Sequence, residues 1–212
     1  MLSDLKALLF DLDGTLYLNN DLGEEIHLSG CRYIAEVRGI TPLEAGALIR
    51  ETMNRLSAAS GMKSTLSHAC VELGGDLREL HRRFAEEIRP EGFLAPDARV
   101  VGLLGSLGTR FDLFIYTNNN ITLSNRIMGL IGVAGLFSRV FSIEDYWRPK
   151  PDRTVLESIY RAIGRKPAEC MFIGDRYDVD LRLPAEMGST VFLCNSVEDM
   201  LSLNKLLYGE EM

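Results

Sequence analysis

The strongest constraint on the fold is a rhythm of short apolar runs. They are "LKALLF" (5–10), "FDLFIYT" (111–117), "RVFS" (139–142), "CMFIG" (170–174) and "TVFLC" (190–194). Runs this short, rich in Phe, Ile and Val, suit strands covered on both faces. Helical patterns separate the later ones, at 96–108, 122–133 and 151–164, and another closes the chain at 197–207. The stretch 151–164 opens on proline and ends on glycine, as a helix prefers. Strands alternating with helices predict an α/β fold with a parallel sheet flanked by helices.

Residues 22–90 break the rhythm. No strand pattern occurs there. Helical stretches fall instead near 23–38, 42–59, 63–74 and 76–89, joined by loops of ordinary length. Thr41-Pro42 marks a helix start, and an apolar stripe follows it. The expected organisation is therefore an α/β core formed by residues 1–18 and 92–212, with a small all-helical cap of four helices, 19–91, inserted after the first strand.

Composition narrows the partners. A net charge of −7 argues against a nucleic-acid surface and against a broad anionic membrane. Cysteines 31, 70, 170 and 194 form no C-x-x-C pair and no tight ligand cluster, so they read as buried thiols in a reducing compartment. The N-terminal run is too short for a signal peptide. The expectation is a cytoplasmic protein, with monomer and dimer equally open.

The chemistry sits where the strands end. Ligands of an open parallel sheet bind beyond the carboxyl ends of its strands. The first strand runs into Asp11-Leu12-Asp13-Gly14. Two residues apart, the carboxylates share one side of extended backbone and repel. A divalent cation relieves that repulsion; alternatively Asp13 turns away and works as an acid. Taken alone, "DLDG" is also ordinary turn chemistry. The second strand ends in Thr117-Asn118-Asn119-Asn120, which can donate to an anion or cap the next helix. The third leads to Lys150 between two prolines, a stiff mount for a charge that neutralises phosphate or keeps Asp11 ionised. The fourth runs into Asp175, with Asp178 and Asp180 close behind. A hard cation such as Mg²⁺ takes oxygen ligands, which Asp11 and Asp175 can supply. Asp178 and Asp180 are also simply favourable charges at a helix N-terminus.

The motifs "DLDGT" (11–15), Thr117 after an apolar strand, Lys150 in "PKPD" and "GDRYDVD" (174–180) occur in one order across nearly the whole chain. Together they resemble the haloacid dehalogenase superfamily, and the helical insertion resembles that family's four-helix cap. The resemblance implies a Mg²⁺-dependent phosphatase acting on a small phosphorylated metabolite of nucleotide, phosphoglycolate or sugar-phosphate type. It implies Asp11 as the nucleophile that forms an aspartyl-phosphate and Asp13 as general acid and base. The implied metal ligands are the Asp11 carboxylate, the Asp13 backbone carbonyl and Asp175. Thr117 and Lys150 then hold phosphate oxygens, with Asn118 close by. Asp180 or Asp178 orders metal-bound water, Asp180 matching the commoner spacing. Pro184 departs from the family's usual small residue. Dehalogenases in this family need no acid two residues after the nucleophile, so Asp13 favours phosphoester chemistry.

Within the cap, His27, Arg32, Tyr33, Arg50, Asn54, Arg55, Lys63 and His68 are candidate substrate contacts, although most such residues are solvated helix faces. The loop "SGMKST" (60–65) is the polar segment to watch. Tyr17, Trp147 and Tyr177 are positioned for stacking or for packing. A phosphomutase on the same core and a catalytically idle phosphate-binding module are the competing readings; the second is disfavoured because no core catalytic side chain is missing.

Overall fold

A computed structural model describes residues 4–209. Its centre is a five-stranded, all-parallel sheet. The strands are β1 (Ala7–Phe10), β2 (Asp112–Tyr116), β3 (Arg139–Phe141), β4 (Cys170–Gly174) and β5 (Thr190–Leu193), in the order β3-β2-β1-β4-β5. Every residue of β1 is buried, because "ALLF" has no polar side and both faces are covered. Leu8 and Phe10 join Ile115 and Ile173 in one apolar layer. Ala7 and Leu9 join Phe114 and Phe172 in the other. This is the period of two expected of a strand.

Strand order reverses at β1: β2 and β3 lie on one side of it, β4 and β5 on the other. That reversal opens a crevice at the carboxyl end of β1, the usual ligand position in such sheets. The "DLDG" segment begins there.

Four helices follow β1: α1 (Asn20–Arg38), α2 (Pro42–Ser60), α3 (Leu66–Glu72) and α4 (Leu77–Glu87). Each start is specified locally. Asn19, Thr41, Thr65 and Asp76 accept backbone N–H bonds as N-caps, and Thr41 forms a reciprocal capping box with Glu44. The third helix begins at Leu66 rather than near residue 63, because the Thr65 hydroxyl caps it and Ser64 N–H is held by Ser57 Oγ at 2.9 Å. Ile34, Ile49, Ala69 and Leu80 form the interior of this layer.

The rhythm then resumes with α5 (Ala98–Leu107), α6 (Ile121–Leu130), α7 (Ile143–Tyr146), α8 (Arg153–Ile163), α9 (Arg182–Glu186) and α10 (Val197–Tyr208). The one-turn helix α7 has no counterpart in the sequence reading; Ser142 and Asp145 close a capping box too short to show as an apolar period. A π-turn over Tyr177–Leu181 precedes α9. Pro184 sits in the first turn of α9, where its missing N–H costs no helical bond. The four cysteines are free and buried, as expected. No helix among the described residues is long and apolar enough to cross a membrane.

Helices α1–α4 are tied to the core at several points. Asn120 Nδ2 donates to the His81 carbonyl at 3.1 Å, and Arg126 donates to the Ile88 carbonyl at 3.0 Å. Arg182 reaches Gly61, in the 60–65 loop, at 2.9 Å.

Candidate active site

Lys150 is the hub of the crevice. Its side chain is only 1% exposed. The Nζ donates to Asp11 Oδ1 at 2.6 Å, to Asp180 Oδ1 at 2.7 Å and to the Tyr116 carbonyl at 2.9 Å. Its backbone N–H donates to Asn118 Oδ1 at 2.7 Å, so the second and third strand-end loops brace each other. Burial alone would push the ammonium down, but Asp11 and Asp180 more than offset this and hold it above its usual range. The charge is internal to the site and not a solvated surface lysine.

Asp11, Asp175 and Asp180 converge. Each offers an oxygen within 4.8 Å of the others. Burial pushes Asp11 up to about 7, against the pull of Lys150. Burial also raises Asp175. Asp180 is held below its usual value, because Lys150 and Arg176 outweigh its burial. Arg176 is partly exposed; its guanidinium lies 3.6 Å from both Asp175 and Asp180, and its backbone N–H donates to Asp180 Oδ2 at 3.2 Å. Of the two carboxylates left open by spacing, Asp180 is the one in the cluster. Asp178 turns outward and pairs with Arg182 at 2.9 Å.

The fit of this group to a hard cation rests on two buried oxygens. Asp11 Oδ2 and Asp175 Oδ1 have no hydrogen-bond partner. Oxygen donors only, carrying excess negative charge, are what Mg²⁺ selects. The cradle is closely shaped. Gly14 has φ +86°, and a Cβ there would lie 2.6 Å from Asp175 Oδ2. Glycine alone meets both conditions without strain.

Asp13 takes the other course that its position allowed. Its carboxylate is not among the three that converge. Tyr17 donates its hydroxyl to Asp13 Oδ1. Burial first, then the Asp13 charge, keep the Tyr17 phenol well above its usual range, so it remains a donor. Asn119 Nδ2 lies 3.4 Å from both carboxylate oxygens, and Thr117 Oγ1 lies 3.4 Å from Oδ2. The Thr117 hydroxyl also accepts the Asn119 N–H at 3.0 Å. Asn118 Nδ2 is buried without a partner.

Three contributors escaped the sequence reading. Asn119 contacts Asp13, although the reading favoured its neighbour Asn118; the run of three asparagines was the available signal. Tyr17 was weighed for stacking, and only folding showed its hydroxyl on Asp13. His81 was not singled out at all.

A cavity of about 270 Å³ opens beside Asp13, lined among others by Ile26, His27, Ser67, His81, Phe84 and Asn119. His27 is thus the one cap candidate at this cavity. Arg32 and Arg55 pair with Glu87 and Glu72, and Tyr33 bonds to the Asp76 backbone. Lys63, His68 and Trp147 line a larger cavity of about 680 Å³, which includes Pro149 and Pro151 but none of the aspartates of the site. Arg78 covers the Trp147 ring at 4.4 Å, and Tyr177 is exposed.

His81 is 2% exposed, and burial pushes it down from 6.5 to about 4. The unfolded chain therefore binds a proton that the native state refuses as pH falls below 6.5. Stability from this group is complete above pH 6.5 and is lost progressively toward pH 4, by about 3 kcal/mol. Denaturant midpoints measured from pH 7.5 to 4.5 are expected to fall less steeply in His81→Gln than in the wild type. Parallel curves would contradict the assignment.

Comparison with known proteins matches this arrangement to a family. The model for haloacid dehalogenase-like hydrolases matches residues 5–188. The chain belongs to that family and is an enzyme of the hydrolase class. It is 26% identical over 197 residues to glyceraldehyde 3-phosphate phosphatase of Methanopyrus kandleri, covering 84% of this chain and 78% of that protein. Among solved structures, a HAD phosphatase from Thermococcus onnurineus aligns with a TM-score of 0.60 at 20% identity, over 98% of this chain and 100% of that one. The magnesium-bound putative HAD-hydrolase YfnB from Bacillus subtilis aligns with a TM-score of 0.59 at 17% identity, over 96% and 99%. These structural likenesses establish a shared fold, including the helical insertion after β1.

Proposed function

We propose that the chain is a Mg²⁺-dependent phosphatase of small phosphomonoesters that works through an aspartyl-phosphate on Asp11. The observation that carries this reading is the division of the two motif aspartates. Asp11 stands in the cation cluster, whereas Asp13 is held apart by Tyr17, Thr117 and Asn119. Two carboxylates in different environments suit two different roles.

In the first step the Asp11 carboxylate attacks phosphorus. A bond from Asp11 oxygen to phosphorus forms as the ester bond breaks, and Asp13 gives its proton to the leaving alkoxide. In the second step Asp13 takes a proton from water, which attacks phosphorus. The bond to Asp11 breaks and inorganic phosphate leaves. Asp11, Asp175 and the Asp13 carbonyl would hold Mg²⁺, which would supply positive charge that offsets repulsion between carboxylate and phosphate. Thr117 and Asn118 provide donors for phosphate oxygens, and Lys150, held by Asp180, supplies positive charge and reaches a phosphate oxygen by giving up one of its three present bonds. Phosphoryl transfer needs chiefly such positioning and charge stabilisation. The Methanopyrus kandleri relative and the Thermococcus onnurineus protein, both phosphatases, support the same reading.

The test is phosphate release from p-nitrophenyl phosphate. The expected result is turnover with Mg²⁺ that disappears on chelation and returns when Mg²⁺ is restored. Turnover indifferent to chelation removes the metal from the reading. With a hexose phosphate, free phosphate supports hydrolysis, and an isomerised sugar phosphate would favour the mutase alternative.

A further inference from the structure

The cavity beside Asp13 has properties that the phosphate site does not use. At about 270 Å³ it lies below the ~300–1,000 Å³ usual for drug-sized ligands. None of its lining residues is lysine or arginine. A carboxylate driven into such a lining has no lysine or arginine to pair with, so its desolvation is offset only by neutral donors and the His27 imidazole. Ile26, Leu66 and Phe84 supply apolar wall, and Thr65 and Ser67 supply hydroxyls.

His81 stands in this wall on α4. Its Nε2 lies 3.5 Å from Ser67 Oγ, and its Nδ1 is buried with no partner. A neutral imidazole offers one donor and one acceptor, and burial keeps this one neutral at physiological pH. Its placement is linked to the reacting centre through adjacent residues. Asn120 holds the His81 carbonyl, and Asn119 contacts the Asp13 carboxylate. The ring itself is fixed edge-on against Phe84, with centroids 5.3 Å apart.

We propose that His81, with Ser67 beside it, reads the leaving group, and that the group it selects is a short uncharged polyol or hydroxycarbonyl chain, so that phosphate is the substrate's only charge. This inference rests on the phosphatase reading above. It separates the ester classes left open by the family. The small volume favours a short chain over a nucleoside, and the carboxylate of phosphoglycolate meets no lysine or arginine there. The larger cavity is lined from the same segment by Ser64 and His68, whereas Thr65, Leu66 and Ser67 line the site cavity beside Asp13.

The experiment compares kcat/KM for glycerol 3-phosphate, phosphoglycolate, AMP and p-nitrophenyl phosphate, all with Mg²⁺. Glycerol 3-phosphate is expected to exceed phosphoglycolate and AMP by about tenfold or more, the scale of one well-placed hydrogen bond. In His81→Leu the ratio of glycerol 3-phosphate to phosphoglycolate falls by about the same factor, and His81→Asn restores part of it. A merely structural histidine would lower all four esters together and leave that ratio unmoved. Should His81→Leu fail to fold, Ser67→Ala reads the same ratio. Preference for phosphoglycolate or AMP, or a constant ratio in folded variants, overturns the inference while leaving the phosphatase reading intact. Failure to hydrolyse any of the four esters removes that reading, and the inference falls with it.

Discussion

Replacing Asp11 by asparagine is expected to abolish Mg²⁺-dependent turnover, lowering kcat by about 10⁴-fold or more, as removal of a nucleophile does elsewhere. The same change should shift stability only modestly, because it relieves a buried, disfavoured carboxylate but also takes from Lys150 one of its two carboxylate partners, leaving Asp180. Asp11 is buried, its carboxyl is pushed up to about 7, and Oδ2 has no partner. At neutral pH an ionised carboxylate there works against folding, because the unfolded chain ionises it more readily. Asparagine removes that penalty. Stability sacrificed for function in this way is common at active sites. The check pairs single-turnover phosphate release with thermal melts in the absence of Mg²⁺. Lost turnover together with a collapsed melting temperature would mean that Asp11 is structural, and the nucleophile assignment would fall.

Lys150→Met is expected to damage both chemistry and fold. The ammonium is buried between Asp11 and Asp180, at 2.6 and 2.7 Å. Breaking a buried pair from one side leaves uncompensated charge and costs about 3–5 kcal/mol. For a chain of this size that corresponds to a fall of roughly 6–20 °C in Tm. The sign with pH is specific. Without Lys150, Asp180 loses the largest interaction holding it below its usual value, so its folded-state pKa rises. The deficit therefore grows as pH rises above about 4, as the unfolded chain ionises that carboxylate and the folded one resists. The double variant Lys150→Met/Asp180→Asn should recover part of the lost stability but none of the turnover. Loss of a preorganised cation beside a transferring phosphoryl group is expected to lower kcat by about 10²–10³-fold. Equal melting temperatures for the single and double variants would show that the two residues are not coupled.

The contrast between Lys150 and Asp13 shows where sequence reasoning was sufficient and where it was not. Both were recognisable as site residues, because each closes a strand-end loop and such loops meet at one edge of a parallel sheet. Asp11 was a legible partner of Lys150, and the two are bonded at 2.6 Å, but the other partners were not recognisable. The second carboxylate on Lys150 lies 30 residues further on, and the amide beside Asp13 lies 106 residues further on. Spacing carries no information over such intervals. The choice between Asp178 and Asp180 was open for the same reason. It turns on a π-turn that buries Asp180 toward Lys150 and sends Asp178 out to Arg182.

His81 lay further from view. It sits on a helix among charged neighbours, "RELHRRF", and nothing local distinguishes it from a solvated residue. Its burial comes from the packing of α4 against the core, where Asn120 and Phe84 hold it. Among the cap candidates, His27 lines the cavity, whereas Arg32 and Arg55 pair with acidic residues on neighbouring helices.

By itself the sequence determined the strands, their parallel order of chemistry-bearing ends and the helical insertion, because apolar period and capping residues act over a few neighbours. Only the tertiary structure decided which carboxylates converge, which one stands apart, and which cap residue lines the cavity. Those outcomes depend on burial and on partners brought together from distant segments, and electrostatics at such a site is set by the company a charge keeps in space.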